Sequence, residues 1–184
     1  TLLAMCPGAI QIFYGDEAGR IDSNASCGND NDQKTRSQMP WLSGDKCHIE
    51  KLPSKFTPEI HEHWSKVLNF RKRHIAIGAG EHERIDFGYN SDLYGFSRTK
   101  DNDKVIVVIA DSPREVELNV LSLSAKKLRN YYSGEEVDVI DGKAKFEIKK
   151  ENNNTLLIEI AERVKTIRFS DNLGWNTDIY AKFF

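Results

Sequence analysis

The chain has 184 residues, of which 39% are hydrophobic and 29% are charged, and this composition is typical of a folded globular protein rather than a disordered one. Its length fits one ordinary domain or two small ones. A formal net charge of -2 gives no electrostatic reason to expect nucleic acid or an anionic membrane as a partner. The first residue is Thr1 and no signal-peptide pattern follows it, so we expect a processed chain or a piece of a longer one.

The first predicted element is a short strand. Residues 9–14 (AIQIFY) form a nearly continuous apolar run, which is typical of a strand buried on both faces in a parallel sheet. Residues 15–40 are polar and lack periodicity, and a loop of that length inside a compact domain is usually functional or ordered by a ligand. Cys27 and Cys47 lie in polar loop sequence. They form either one disulfide, which would indicate an oxidising compartment, or two free thiols.

A helix is predicted after residue 56. Thr57 can cap it, Pro58 suits its first position, and Glu59 places an acidic side chain in its first turn. Apolar residues recur at helical spacing and predict one buried face: Ile60, Trp64, Val67 and Leu68. Basic residues at 71–74 suit the last turn, and glycines 78 and 80 are expected to end the helix.

Short alternating segments follow residue 80, and they are typical of β-strands. The predicted strands are residues 93–98, 105–110, 117–123, 136–140, 143–148 and 155–160. Asp141 and Gly142 are a strong signal for a two-residue hairpin turn. Strands at this spacing predict an antiparallel sandwich rather than βαβ units, with a domain boundary near residue 78. Residues 164–184 predict a further hairpin, which packs on the sandwich or begins another domain.

Several polar residues are candidates for a functional site. Asp16 and Glu17 follow the predicted strand directly, at the sheet edge that carries the active site in α/β barrels. Asp32 and Arg36 are four residues apart, so they either present a charged fork to sugar hydroxyls or form a salt bridge that holds the loop. His61 and His63 are two apart on a helix and face different ways, so no shared metal is expected.

An ordered set of motifs resembles the α-amylase superfamily of glycoside hydrolases. Residues 7–19 (PGAIQIFYGDEAG) look like the family's segment around the eighth barrel strand, and residues 28–41 (GNDNDQKTRSQMPW) are similar to its Asn-Asp…Arg loop. Residues 68–74 (LNFRKRH) resemble its last barrel helix, and residues 93–98 and 105–109 resemble the start of its domain C. Each motif is weak alone, but together they cover about residues 1–160 in the expected order.

The resemblance implies an α+β architecture in three parts. Residues 1–78 would be the last β/α unit of a (β/α)8 TIM barrel, with strand 8, its loop and helix 8. Residues 79–163 would form the all-β antiparallel sandwich called domain C, and residues 164–184 a hairpin that could begin a starch-binding module. The implied reaction is cleavage of α-1,4-glucans such as starch, glycogen or maltodextrin with retention, by an aspartate nucleophile and a glutamate acid/base. Both would lie before Thr1, so the chain alone is predicted to be inactive.

The resemblance also implies roles for particular residues. Asp32 and Arg36 would contact substrate, and Trp175 and Tyr180 would stack on sugar rings. Asp16 and Glu17 are expected to support the barrel rim rather than to catalyse, because adjacent residues of a strand point to opposite sides.

The expected partners are an α-glucan and the remainder of the chain's own catalytic barrel, with neither nucleic acid nor a membrane. No cofactor or metal is expected in this chain, although calcium is compatible with the full enzyme. A secreted or periplasmic location is expected from the substrate class.

A second interpretation comes from a different class of protein. The chain could be a non-catalytic carbohydrate-binding or structural β-sandwich protein with a helical N-terminal arm. That interpretation predicts glucan binding by the isolated chain that is lost in Trp175→Ala, and an N-terminal region that folds without a barrel.

Overall fold

The computed structural model describes residues 1–20, 56–88 and 91–163. Within these ranges two helices precede eight strands. The helices are α1 (Pro58–Arg73) and α2 (Ile75–Ala79). The strands are β1 (Glu81–Ile85), β2 (Leu93–Lys100), β3 (Asp103–Ala110), β4 (Arg114–Asn119), β5 (Ala125–Asn130), β6 (Glu136–Asp138), β7 (Lys143–Ile148) and β8 (Thr155–Arg163).

The strands form two antiparallel sheets. One has six strands in the order β1-β2-β3-β8-β5-β6, and the other pairs β4 with β7. Every pairing between named strands is antiparallel. The β-rich, antiparallel part of the predicted fold is therefore confirmed, and the last strand returns to lie between β3 and β5.

The six-stranded sheet is covered on both faces. Along β3, Ile106 and Val108 point into a core shared with Phe146 of the two-stranded sheet, while Val105 and Val107 point into a second core shared with Phe70 of α1. Because β3 alternates between two cores, both of its faces are apolar. The layers are therefore helix, sheet, sheet.

Helix α1 begins where the sequence predicts, with Pro58 in its first turn and Thr57 preceding it. Its most buried side chains are Val67 and Phe70, whereas Ile60 remains 39% exposed. The helix ends at Arg73, earlier than predicted, and an extended residue, His74, leads into α2.

Three strands and one hairpin differ from the sequence prediction. The sequence does not predict strands β1 and β5. Asp141 and Gly142 do form a left-handed turn, with φ of 50° and 74°, and Ile140 bridges to Lys143. The strands on either side of this turn nevertheless enter different sheets. The predicted strand at 117–123 is also divided, because β4 ends at Asn119 and a 3-10 turn covers Leu121–Leu123.

The predicted strand at residues 9–14 is not observed. These residues form no strand, and most of them are exposed. A strand of a parallel sheet needs neighbouring strands on both sides, and the part of the chain that the structure describes offers none in that position. Ile10 instead packs against the core that contains Phe70 of α1, and just before the segment the Gly8 N–H donates to the Gly78 carbonyl at 2.8 Å. The barrel part of the predicted fold is thus not seen in this structure.

Candidate functional site

Asp16 and Glu17 lie in a tight turn that leads toward α1. Gly15 and Gly19 flank the 3-10 turn Asp16–Ala18 in left-handed conformations, with φ of 90° and 74°. The Gly15 N–H donates to the Glu17 carboxylate at 2.9 Å. Glu17 is half-buried while Asp16 is exposed, so the two carboxylates point into different surroundings. Glu17 therefore stabilises the loop backbone here, and the role of this pair at a barrel rim remains a prediction.

An exposed aromatic pair precedes this turn, and the sequence analysis did not single it out. Phe13 and Tyr14 are 45% and 43% exposed, and their ring centroids are 4.9 Å apart. The guanidinium of Arg20 lies 4.4 Å from the Tyr14 ring centroid, and its Nε donates to the Tyr14 carbonyl at 3.0 Å. Aromatic faces can stack on flat ligand surfaces, and a guanidinium beside them can donate hydrogen bonds. Two adjacent aromatic residues before Gly15 are the sequence feature from which this pair could have been predicted.

A second polar group lies where α1 meets the sandwich. His63 Nδ1 is 2.8 Å from the Tyr132 hydroxyl, which accepts a hydrogen bond from Asn153 Nδ2 at 2.7 Å. His63 Nε2 is 3.3 Å from the Thr1 hydroxyl. Burial lowers the pKa of His63, so the imidazole is neutral at pH 7.

An open cavity of about 560 Å³ adjoins His63. Its wall is mainly apolar, with Leu2, Leu3, Ile60 and Ile109 beside His63. Leu2 and Leu3 are 51% and 46% exposed. A concave apolar wall with a few polar groups is the usual setting for a bound ligand or partner.

The four predicted substrate-binding residues, Asp32, Arg36, Trp175 and Tyr180, lie outside the described residues, as does the Cys27–Cys47 pair. In the ranges that are described, no group of three or more His, Cys, Asp or Glu side chains is arranged to hold a metal ion. The same ranges contain no helix that is both long and apolar enough to cross a membrane.

The fold described above, a β-sandwich with a helix packed on its larger sheet, is shared with several solved structures of longer proteins. A structure of an AmyP variant in complex with maltotriose superposes with a TM-score of 0.63 at 18% identity, covering 89% of this chain and 34% of that one. The protein Ttha1563 from Thermus thermophilus gives 0.62 at 18% identity, over 87% of this chain and 30% of that one. An α-amylase from Anoxybacillus gives 0.51 at 18% identity, over 63% and 25%.

One curated protein is similar to the chain in sequence. The chain is 40% identical over 109 residues to the periplasmic alpha-amylase of Escherichia coli (strain K12), a match that covers 59% of this chain and 14% of that protein. No protein-family model matches the chain. The resemblance to the α-amylase family that the motifs indicate is therefore confirmed, for a chain that spans about one seventh of the length of this relative.

Proposed function

We propose that this chain is part of an α-amylase-type glycosidase that acts on α-1,4-glucans, in which it supplies the end of the (β/α)8 barrel and domain C. The observation that carries the proposal is the 40% identity to a periplasmic alpha-amylase over 109 residues. The fold shared with α-amylase structures supports the assignment of domain C. The same relative supports a periplasmic or secreted location, and the maltotriose and maltose complexes of AmyP support an oligosaccharide ligand.

The chemistry would be divided between this chain and the rest of the barrel. The nucleophile and the acid/base would come from the barrel and cleave with retention, so the 184-residue chain alone would be inactive. Asp32 and Arg36 would contact the bound sugar, and Trp175 and Tyr180 would stack on sugar rings. The hydrogen bond from Gly15 to Glu17 supports a structural role for the acidic pair.

The apolar surface around the 560 Å³ cavity supports the barrel as a partner. Leu2, Leu3 and Ile60 are all more than one-third exposed, and exposed apolar residues grouped at a cavity commonly mark an interaction surface. Contact with the barrel would also give residues 9–14 the parallel neighbours that a buried strand requires.

A hybrid enzyme tests this proposal. The matching region of the Escherichia coli alpha-amylase, extended where needed to include the counterparts of Asp32 and Arg36, would be replaced by the corresponding part of this chain, and starch hydrolysis would be measured as released reducing sugar. We expect the hybrid to be active and its initial product to be the α-anomer in NMR spectra. The hybrid with Arg36→Ala should lose at least about tenfold in rate, because a charged contact to bound substrate is removed. The purified chain alone should release no more sugar than a mock preparation, and activity above that level would contradict the division of chemistry.

A specific observation favours the rival function, a non-catalytic glucan-binding protein. The N-terminal residues already pack on the helices without a barrel, since Gly8 bonds to Gly78 and Arg71 binds the carbonyls of Ala4 and Cys6 at 3.0 and 2.6 Å. Two results together would support this rival. The hybrid would be inactive, and the isolated chain would be retarded in amylopectin gels. This retardation would be lost in Trp175→Ala and kept in Trp64→Phe.

A further inference from the structure

A buried ionic cluster joins the helix pair to the six-stranded sheet at His74. This residue connects α1 to α2 in an extended conformation, and its side chain is only 12% exposed. His74 Nδ1 lies 2.7 Å from Asp103 Oδ1 on β3. His74 Nε2 lies 2.9 Å from Glu159 Oε2 on β8. One imidazole therefore contacts two carboxylates that belong to adjacent strands of the same sheet.

This geometry requires a charged imidazole. A neutral imidazole has one N–H donor and one lone pair, whereas an ionised carboxylate can only accept. With a carboxylate at each ring nitrogen, both nitrogens must donate, and His74 is the doubly protonated imidazolium. Loss of one proton would leave a lone pair facing a carboxylate oxygen at 2.7 or 2.9 Å, which is repulsive.

The two carboxylates that contact His74 also bind other parts of the helices and the sheet. The second oxygen of Asp103 accepts the Ala76 N–H in the first turn of α2 at 2.8 Å. Glu159 is 3% exposed and also accepts from Arg129 Nε on β5 at 2.8 Å. Arg73 of α1 lies 3.5 Å from the same carboxylate. Besides His74, the cluster thus contains two carboxylates, those of Asp103 and Glu159, and two guanidiniums, those of Arg73 and Arg129.

Two aromatic rings complete the surroundings of the cluster. The Phe70 ring centroid is 4.6 Å from that of His74, and Tyr131 lies beneath the Arg73 guanidinium at 5.2 Å. The Phe70 ring and the low exposure of the His74 and Glu159 side chains, 12% and 4%, place their hydrogen bond in surroundings that strengthen it.

We propose that His74 is a pH-sensitive latch, which as an imidazolium holds the helix pair on strands β3 and β8 and weakens this junction when it loses its proton as the pH rises. The latch follows from the contacts of this chain and does not rest on the proposed glucan chemistry.

The direction of the pH dependence follows from the two carboxylates. Burial alone would lower the pKa of His74, but its hydrogen bonds to Glu159 and Asp103 raise the pKa above the usual 6.5. A raised pKa in the folded state means that the stabilisation is complete below about pH 6.5 and is lost as the pH rises through the folded value.

Glu159 has the opposite dependence. Burial alone would raise the pKa of Glu159, yet the hydrogen bonds from His74 and Arg129 lower it to about 2. Its contribution is therefore complete above pH 4.5 and is lost only as the pH falls toward 2. Of these two groups, only His74 loses its stabilising contribution as the pH rises.

NMR titration of the wild-type chain tests the latch without any variant. We expect both ring nitrogens of His74 to carry protons at about pH 6, a titration midpoint above the usual 6.5, and an Ala76 amide resonance that shifts with the same midpoint. In Asp103→Asn the His74 midpoint should fall. A His74 ring with a single proton at about pH 6, or a midpoint no higher than the usual value, would overturn the proposal.

His74→Gln supplies a second, independent measurement. Its urea midpoint should lie below that of the wild type at about pH 6, and the difference should shrink as the pH rises through the His74 midpoint found by NMR. His61→Gln is the control, because His61 is an exposed histidine on the adjoining helix α1, and it should show no such pH-dependent difference. A deficit in His74→Gln that is constant over this range would count against the latch. If this variant does not fold, the wild-type titration still decides.

Discussion

At the scale of single residues, Arg71 ties the N-terminal segment to α1. Its guanidinium donates to the carbonyls of Ala4 and Cys6, at 3.0 and 2.6 Å, and to the carbonyl of Gly8. Arg71→Met keeps the aliphatic stem and removes all three donors. We expect a loss of about 1–3 kcal/mol in the free energy of unfolding, because hydrogen bonds to a charged donor are lost. Amide exchange in residues 4–8 should also become faster, as measured by mass spectrometry.

The neighbouring Lys72→Met is the matched control for this prediction. Lys72 is exposed and lies on the same helix, so its loss should leave exchange in residues 4–8 unchanged. Equal exchange in Arg71→Met and the wild type would show that the apolar contacts of Ala4 and Met5 hold the segment without the arginine.

At the scale of elements, Gly80 determines how α2 turns into β1. A Cβ at this position would lie 2.4 Å from the Ala76 carbonyl oxygen and 2.7 Å from the Thr99 carbonyl oxygen, and both are backbone atoms. Gly80→Ala should therefore shift the backbone and destabilise the fold by about 1–3 kcal/mol, as other overpacked sites do. Thermal unfolding followed by circular dichroism measures this as a lower Tm.

Gly78→Ala separates a steric effect from a general effect of adding a methyl group. The nearest atom to a Cβ at Gly78 is Arg71 Nη2 at 3.6 Å, an ordinary contact, and alanine favours a helix over glycine by up to about 1 kcal/mol. Gly78→Ala should therefore keep or raise the Tm. A Tm in Gly80→Ala equal to that of Gly78→Ala would contradict the steric account.

Elements with a strong local signal could be predicted from the sequence. Strands β2, β3, β7 and β8 carry alternating or continuous apolar residues, and α1 has its proline start and basic last turn. The sequences of β1 (EHERI) and β5 (AKKLRN) are mostly polar, so they lack the alternation of apolar residues from which a strand is predicted. Their conformation comes from pairing with β2 and β8, which is a tertiary effect.

The functional sites likewise differ in whether a local sequence motif predicts them. The acidic turn after residue 14 has a local motif and could be anticipated. The partners of His74 are 29 and 85 residues away in the chain, and no sequence spacing relates them. Residues 9–14 have the composition of a buried strand, but composition cannot supply the neighbouring strands on which that conformation depends.

At the scale of the whole molecule, the two cores meet in one sheet. Phe70 of α1 is fully buried against Val105, Val107 and Leu157 on one face, and Phe146 of β7 is 1% exposed in the core on the other face. Since β3 and β8 contribute to both cores, loss of either core should disrupt the same strands. We therefore expect the helices and the sandwich to unfold in a single cooperative transition.

Phe70→Ala and Phe146→Ala test this cooperativity as a matched pair. Each should lower the free energy of unfolding by about 3–5 kcal/mol, because each leaves a cavity in a close-packed core. Hydrogen exchange in urea would be followed for residues 58–79 and 143–148 in both variants. In one cooperative unit, each substitution shifts both segments to the same lower urea midpoint. A shift in Phe70→Ala that is confined to residues 58–79 would mean that the boundary predicted near residue 78 also separates two folding units. If both segments shift to the same urea midpoint, the boundary near residue 78 is a boundary between sequence motifs only. The helices and the sandwich then fold as one cooperative unit across it.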